Sequence, residues 1–299
     1  MDTEGQLNSI EAPRVAATDE LGRLLKQRAN ELICRLIGSS GRQHPPYSVV
    51  ELAALQGIKS IEKADLGKMD AVLLRQPDGY VVKVNSNHHP FRQNFSCAHE
   101  IAHILLHDIE KRSTDSPEFR VLDLNIGRVA RERLCDEAAA ELLMPAPTFR
   151  TYLSRFGCSV NALEWLSPTF GVSIPAIAIR VSQISDEPCA AILWRRCQKP
   201  RSKGFQLVWA SMPASQHTRD YRTEERGYVR DPSALLRAYQ GSSVVKSYKV
   251  FGISSHKKRH YMESRGFGRD STRYVISLVF PHRCGAGLES EEGKDHASG

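Results

Sequence analysis

Between Phe95 and His107 the chain reads FSCAHEIAHILLH. Three histidines, His99, His103 and His107, recur four residues apart, and Glu100 follows the first of them. On a helix, side chains at i and i+4 leave the same face about one turn apart. His99 and His103 can therefore share a divalent cation through neutral imidazoles, at Zn–N distances of about 2.0–2.1 Å. Glu100 is turned about 100° from His99. That is a poor position for a ligand on the same face, but a good one for reaching a water on the cation. Two histidines that hold zinc and a glutamate that takes a proton from water form the HExxH arrangement for metal-assisted hydrolysis.

A five-residue motif also arises by accident, so its surroundings decide. Phe95, Cys97, Ala98, Ile101, Ala102, Ile104, Leu105 and Leu106 make this helix apolar on nearly every side. Burying two imidazoles and a carboxylate there costs on the order of several kcal/mol unless they are paired or metal-bound. A catalytic zinc takes three protein ligands and keeps one position open. His107 lies two turns from His99, with no glycine after His103 to break the helix. It is expected to cap the last carbonyls or to bond the following loop.

The third ligand is sought in RERLCDEAAAELLMP, residues 131–145. On a helix Leu134, Cys135, Ala138, Ala139, Leu142 and Leu143 point inward, and Glu132 shares that face. Glu137 and Glu141 point away. A carboxylate on a buried stripe needs a strong partner, which makes Glu132 the candidate. The competing reading is an exposed glutamate in a first helical turn, favoured by the helix dipole. Asp136, one turn on, is placed to hydrogen-bond a ligand histidine.

The elements that must position these groups can be read around them. Residues 1–17 are expected to be disordered. Thr18 or Asp19 can cap a helix carrying Leu21, Leu24, Leu25, Ala29, Leu32 and Ile33 at helical spacing. A short helix follows from Ser48 to Leu55. MDAVLLRQPDGYVVKVN alternates apolar and polar residues about Pro77-Asp78-Gly79, a hairpin signal. The strand from Tyr80 to Asn85 is the candidate exposed edge for an extended peptide. The histidine helix starts near Pro90, and polar residues 108–123 read as a loop. The next helix runs from about Ile126 to Met144, stopped by Pro145 and Pro147. Two or three helices fill 148–185. Beyond Pro188, AAILWRR, FQLVWAS, VVKSYKVFGI and RYVISLVF read as strands, and the tail 285–299 is expected to be disordered.

Composition bounds the partners. At 299 residues, 41% hydrophobic and 25% charged, the chain has the make-up of a soluble globular protein of about two domains. It has no apolar run of membrane-spanning length and an acidic, polar N-terminus unlike a secretory signal. Its seven cysteines form no CxxC pair, which points to reduced thiols and a cytoplasmic setting. Charge is uneven: residues 189–284 hold 19 Lys and Arg against 6 Asp and Glu, whereas residues 1–188 hold 21 against 24. A basic back half joined to a slightly acidic front half suggests parts with different partners.

FRQNFSCAHEIAHILLH followed by ERLCDEAAAELLMP resembles the ImmA/IrrE-type zinc metallopeptidases. The resemblance covers roughly residues 20–185. It implies zinc, with manganese as an alternative activating ion, held by His99, His103 and Glu132, and Glu100 as general base. The family position after the cysteine is usually Asn, where this chain has Asp136. Cys97 stands two before His99, where the family more often has Thr or Ser. The implied substrate is a DNA-binding repressor of the helix-turn-helix type, cut to release stress or mobile-element genes.

The implied architecture is α+β. A zincin-like peptidase domain with a small β-hairpin or sheet spans 18–147. A helical, helix-turn-helix-like bundle spans 148–187. A basic, mixed β-rich domain of GAF-like sensor type spans 188–284. Within ALEWLSPTFGVSIPAIAIRVSQ the second helix carries only Arg180 as a charge, so packing rather than DNA reading is expected of it.

The alternative function is a DNA-binding regulator with a non-catalytic metal site. Lys257-Lys258-Arg259-His260, with Trp194, Trp209, Tyr228, Tyr248, Tyr261 and Phe267 among the charges, would then meet phosphates. The intact Glu100 favours the enzyme. No membrane partner is expected.

Overall fold

The computed structural model describes residues 8–115, 126–197, 204–212, 233–241, 243–251 and 258–281. Two compact units divide the chain. One is formed by residues up to Phe149 together with Ser167–Ser173, the other by Arg150–Leu166 and the chain from Ile174 onward. Of residues 148–187, 148–149 and 167–173 fall in the first unit and the rest in the second.

The first unit begins with α1 (Asn8–Ser40). Leu21, Leu25, Ala29, Leu32, Ile33 and Leu36 recur every three or four residues, and all are buried. That stripe drives the helix onto its neighbours. Glu20–Arg23 and Arg28–Glu31 pair one turn apart on the wet side. The helix starts ten residues ahead of the Thr18/Asp19 cap signal. The preceding segment contains Glu11, Ala16 and Ala17, good helix formers that extend it, so only residues 1–7 of the expected disordered stretch lie outside the described residues. Gly22 lets α1 come close to the next layer, since a Cβ there would meet Leu134 Cδ2 at 3.0 Å.

Helix α2 (Val49–Leu55) is capped by the Ser48 side chain, which accepts from the Glu51 N–H. Three strands follow: β1 (Ile58–Ala64), β2 (Ala71–Gln76) and β3 (Gly79–Asn85), in the order β1-β3-β2. The hairpin forms about Pro77-Asp78, with Gln76 opposite Gly79. Gly79 has φ 144°, and a Cβ there would stand 2.5 Å from the Gly57 carbonyl. Only glycine satisfies both demands.

One expectation is corrected here. β3 is central, parallel to β1 and antiparallel to β2, so its hydrogen-bonding edges are taken. Among the described strands the edge on the hairpin side is β2.

Helix α3 (Pro90–Asp115) carries the histidines. Its start is pinned to the sheet: Gln93 Nε2 donates to the carbonyls of Asn85 and His88, and buried Asn85 donates to those of Gly67 and Met69. The helix runs past His107 to Asp115, where a loop was expected. Buried Ile109 continues the apolar face, and no Gly or Pro interrupts the chain before Pro117. Helix α4 (Arg128–Leu143) lies against α3 and α1 and stops before Pro145. Glu141 was expected to point away from the core. It is instead buried and accepts the Ala146 N–H, holding the turn into α5 (Ala146–Phe156).

The second unit is built on a five-stranded antiparallel sheet. Its strands are β4 (Ala190–Arg196), β5 (Phe205–Ser211), β6 (Val245–Phe251), β7 (Lys258–Phe267) and β8 (Tyr274–Phe280), ordered β5-β4-β8-β7-β6. Helix α6 (Ala162–Phe170) is shared between the units, and α7 (Ile174–Ile184) lies on the sheet. Helix α8 (Ser233–Gln240) packs Leu235 and Ala238 over Ile192, Trp194, Met262, Val275 and Val279. Trp194 donates to Ser277, which also bonds Ser264, so this buried polar line is satisfied.

Arg180 of α7 is 4% exposed, and the helix buries Ile177, Ala178 and Val181 beside it. It is a packing helix. Trp194, Tyr261 and Phe267 are buried too, and so is His260. Tyr228, Lys257, the side chains of Lys258 and Arg259, and the tail 285–299 lie outside the described residues. Among the described residues no single helix is long and apolar enough to cross a membrane.

Candidate metal centre

The candidate residues come from two helices of the first unit. His99 and His103 leave α3 one turn apart, with ring centroids 4.8 Å from each other. Glu132 enters from α4. His99 Nε2 and His103 Nε2 are 3.1 Å apart. Glu132 Oε2 stands 3.2 Å from the first and 3.7 Å from the second. Three ligands on a tetrahedral cation at about 2.0–2.1 Å would be separated by about 3.3–3.4 Å. The donor triangle therefore has the dimensions and the N/N/O chemistry that a divalent ion such as zinc requires, and His99, His103 and Glu132 can hold one.

Glu132 was expected on a buried stripe, yet its side chain is 46% exposed. Leu134 and Cys135 face the core, while the part-exposed Glu132 turns its carboxylate toward the imidazoles.

The outer nitrogens of both histidines are also occupied. His99 Nδ1 lies 2.8 Å from Asp136 Oδ1, and His103 Nδ1 lies 3.4 Å from Cys135 Sγ. With both Nε2 atoms on a metal, each Nδ1 would carry the proton and donate it outward. A carboxylate behind a ligand imidazole fixes its tautomer and raises its basicity. Burial pulls the His99 imidazole down, but the hydrogen bond and charge of Asp136, with Glu100 and Glu132 behind them, outweigh it. His99 ends above the usual histidine value. His103 ends below it, because burial and the neighbouring His99 outweigh Glu132 and Asp136.

Glu100 projects beside this triangle from the next position of α3. Burial pushes its carboxyl above the usual range; His99 opposes that push, Glu132 adds to it, and the backbone N–H of Leu73 on β2, donating to the carboxylate, opposes it. A carboxylate raised in this way is a stronger proton acceptor than one in water.

His107 is exposed within α3 and lies 3.9 Å from Asp108, so it neither joins the triangle nor caps the helix. Cys97 is buried, and burial with the Glu100 charge pushes its thiol up to about 12. Burial and the nearby carboxylates do the same to Cys135. Neither sulfur belongs to the converging donor set of His99, His103 and Glu132. Two partners were not read from the sequence: the Leu73 N–H, which no side chain announces, and Cys135, which reads only as an inward-facing apolar residue.

Residues 56–182 match the family model described as Peptidase_M78, IrrE N-terminal-like domain. The chain is 30% identical over 198 residues to the radiation response metalloprotease IrrE of Deinococcus radiodurans, covering 65% of this chain and 56% of that protein. It is 35% identical over 115 residues to the protein of the same name from Deinococcus deserti, covering 38% of this chain and 39% of that protein. It therefore spans only about half the length of these curated relatives. Among solved structures, one titled Mycobacterium tuberculosis transcriptional regulator superposes with a TM-score of 0.55 at 16% identity, over 89% of this chain and 81% of that one. That likeness is one of fold. The domain at residues 56–182 is therefore similar to the ImmA/IrrE-type metallopeptidases.

Proposed function

We propose that the chain is a zinc-dependent endopeptidase that cleaves a helix-turn-helix transcriptional repressor and so releases stress or mobile-element genes. The observation that carries this reading is the convergence of His99, His103 and Glu132 with Glu100 alongside. Zinc held by the three donors would supply Lewis acidity, polarising a carbonyl and making water more acidic; manganese is the alternative activating ion.

The chain's own groups have defined tasks in this reading. Glu100 accepts the proton of the attacking water and returns it to the leaving amine. Asp136 and Cys135 keep the two imidazoles oriented. β2 is the candidate edge for an extended substrate, since an added strand pairs with free backbone groups and Leu73 on that strand already touches Glu100. The zincin-like domain is assigned to 18–147. Residues 188–284 form a GAF-like sensor or docking domain, a reading supported by the antiparallel sheet with α8 on it. The setting is cytoplasmic.

The test is direct. Purified protein loaded with zinc or manganese is incubated with the helix-turn-helix repressor encoded nearest to it. One discrete cut, lost with a chelator and restored by metal, is expected. An intact repressor with both metals rejects this substrate.

A second reading, a DNA-binding regulator, draws on the basic charge of residues 189–284. Buried Arg180, Trp194, Tyr261 and Phe267 weigh against it, because base and phosphate contacts need accessible side chains. Full-length protein is expected to bind duplex DNA weakly at physiological salt. Tight binding there, falling steeply with added salt at about −0.9 in log affinity per phosphate contact, would reverse the preference.

A further inference from the structure

Two cysteines that the metal centre does not use meet in the second unit. Cys158 lies in the turn after α5, just past Gly157, whose φ of 75° ends that helix. Cys189 directly precedes β4 and is fully buried. Their Sγ atoms are 3.8 Å apart. Cys158 is half-buried, so a small reagent can reach it, and the Ser185 hydroxyl donates to its sulfur at 3.3 Å. A donor in that position steadies negative charge on the sulfur as its proton leaves.

We propose that Cys158 and Cys189 are a redox modification site, closed to a disulfide by a peroxide and reopened by a thiol reductant. Cys158 is the attacking thiol and Cys189 the resolving one. The Cys158 sulfur attacks one oxygen of hydrogen peroxide and the O–O bond breaks, leaving a sulfenic acid and water. The Cys189 sulfur then attacks the Cys158 sulfur. The S–S bond forms, the S–O bond breaks, and the departing hydroxide takes the Cys189 proton as a second water. Two thiols and one peroxide thus become one disulfide and two waters.

The geometry allows this with little movement. A disulfide is about 2.0 Å long, so the sulfurs must approach by about 1.8 Å. Cys158 stands in a turn, where rotation about its Cα–Cβ bond can supply that. The bridge would join positions 31 apart and enclose α6 and α7. Closing a loop of that size restricts the unfolded chain and raises the melting temperature.

The experiment uses the full-length reduced protein. It is exposed to hydrogen peroxide, its remaining thiols are alkylated, and it is digested without reductant for mass spectrometry. A peptide pair joined through Cys158 and Cys189, two hydrogens lighter than the thiols, is expected. With it the melting temperature should rise by roughly 5–15 °C, and dithiothreitol should reverse both. Cys158→Ser should show neither the link nor the rise. The proposal is overturned if peroxide carries Cys158 to a sulfinic acid without a link, if the links formed join other cysteines, or if Cys158→Ser keeps the rise. The wild-type cross-link decides the matter even where a variant folds poorly.

Discussion

Glu100→Gln is expected to keep the fold and the bound metal of the wild-type protein and to cleave about 10²–10⁴-fold more slowly. Glutamine has the shape of glutamate, and its carbonyl oxygen can still accept the Leu73 N–H that holds residue 100 against β2. It touches none of the contacts among His99, His103 and Glu132. What it loses is the ability to take a proton.

Stability should move the other way. Burial holds the Glu100 carboxyl above the usual range, so the ionised side chain opposes folding at neutral pH. A neutral amide removes that opposition, and the melting temperature should stay level or rise. Metal analysis, a melting curve and a cleavage assay on one preparation read all three effects. A variant that cut as fast as wild type would remove Glu100 from the chemistry. One that lost its metal would make residue 100 part of the binding set instead.

The groups that can be read from the sequence are those whose information is local. His99, Glu100 and His103 lie within one turn of helix, and Asp136 follows Glu132 by one turn, so spacing alone places them in register. The hairpin is likewise local, because Pro77-Asp78-Gly79 fixes its own turn. What escapes is non-local. β1 fully buries only Ile58, and it is a strand because β3, some twenty residues on, lies parallel to it. That same partner makes β3 central and leaves β2 at the edge.

β7 escapes for another reason. Its buried side chains include His260, Glu263 and Ser264, which hydropathy reads as surface. Glu263 and Ser264 are buried because other groups satisfy them: the Val160 N–H, about a hundred residues away, and the Tyr261 hydroxyl donate to Glu263, and Ser277 bonds Ser264. Glu141 is the same case at the end of α4, where it is buried to hold the Ala146 N–H. At the metal centre, the Leu73 N–H belongs to a backbone, and backbone groups leave no mark in the sequence.

The donor triangle itself predicts a graded series. His99→Ala and His103→Ala each remove a nitrogen from a three-ligand set, and each should take the protein from about one bound ion per chain to almost none. Glu132→Ala should weaken binding as well; an unchanged affinity would move the third ligand elsewhere, with Asp136 next. Full metal occupancy in both histidine variants would sink the site. Asp136→Ala leaves the ligands in place but frees His99 Nδ1, and should cost about 10–100-fold in affinity. Asp136→Asn separates the hydrogen bond from the charge. The amide oxygen can still accept from His99 Nδ1, so the ring stays oriented, but the negative charge that lifts the His99 imidazole is gone. In the wild type a proton competes with the metal for His99 from a higher pH than for an ordinary histidine. Without the Asp136 charge that competition begins at lower pH. Acid titration of bound metal should therefore show Asp136→Asn releasing its ion at a lower pH than wild type, even though its less basic imidazole binds more weakly at neutral pH. A release curve that moved to higher pH would show that the charge of Asp136 holds the metal rather than tuning the histidine.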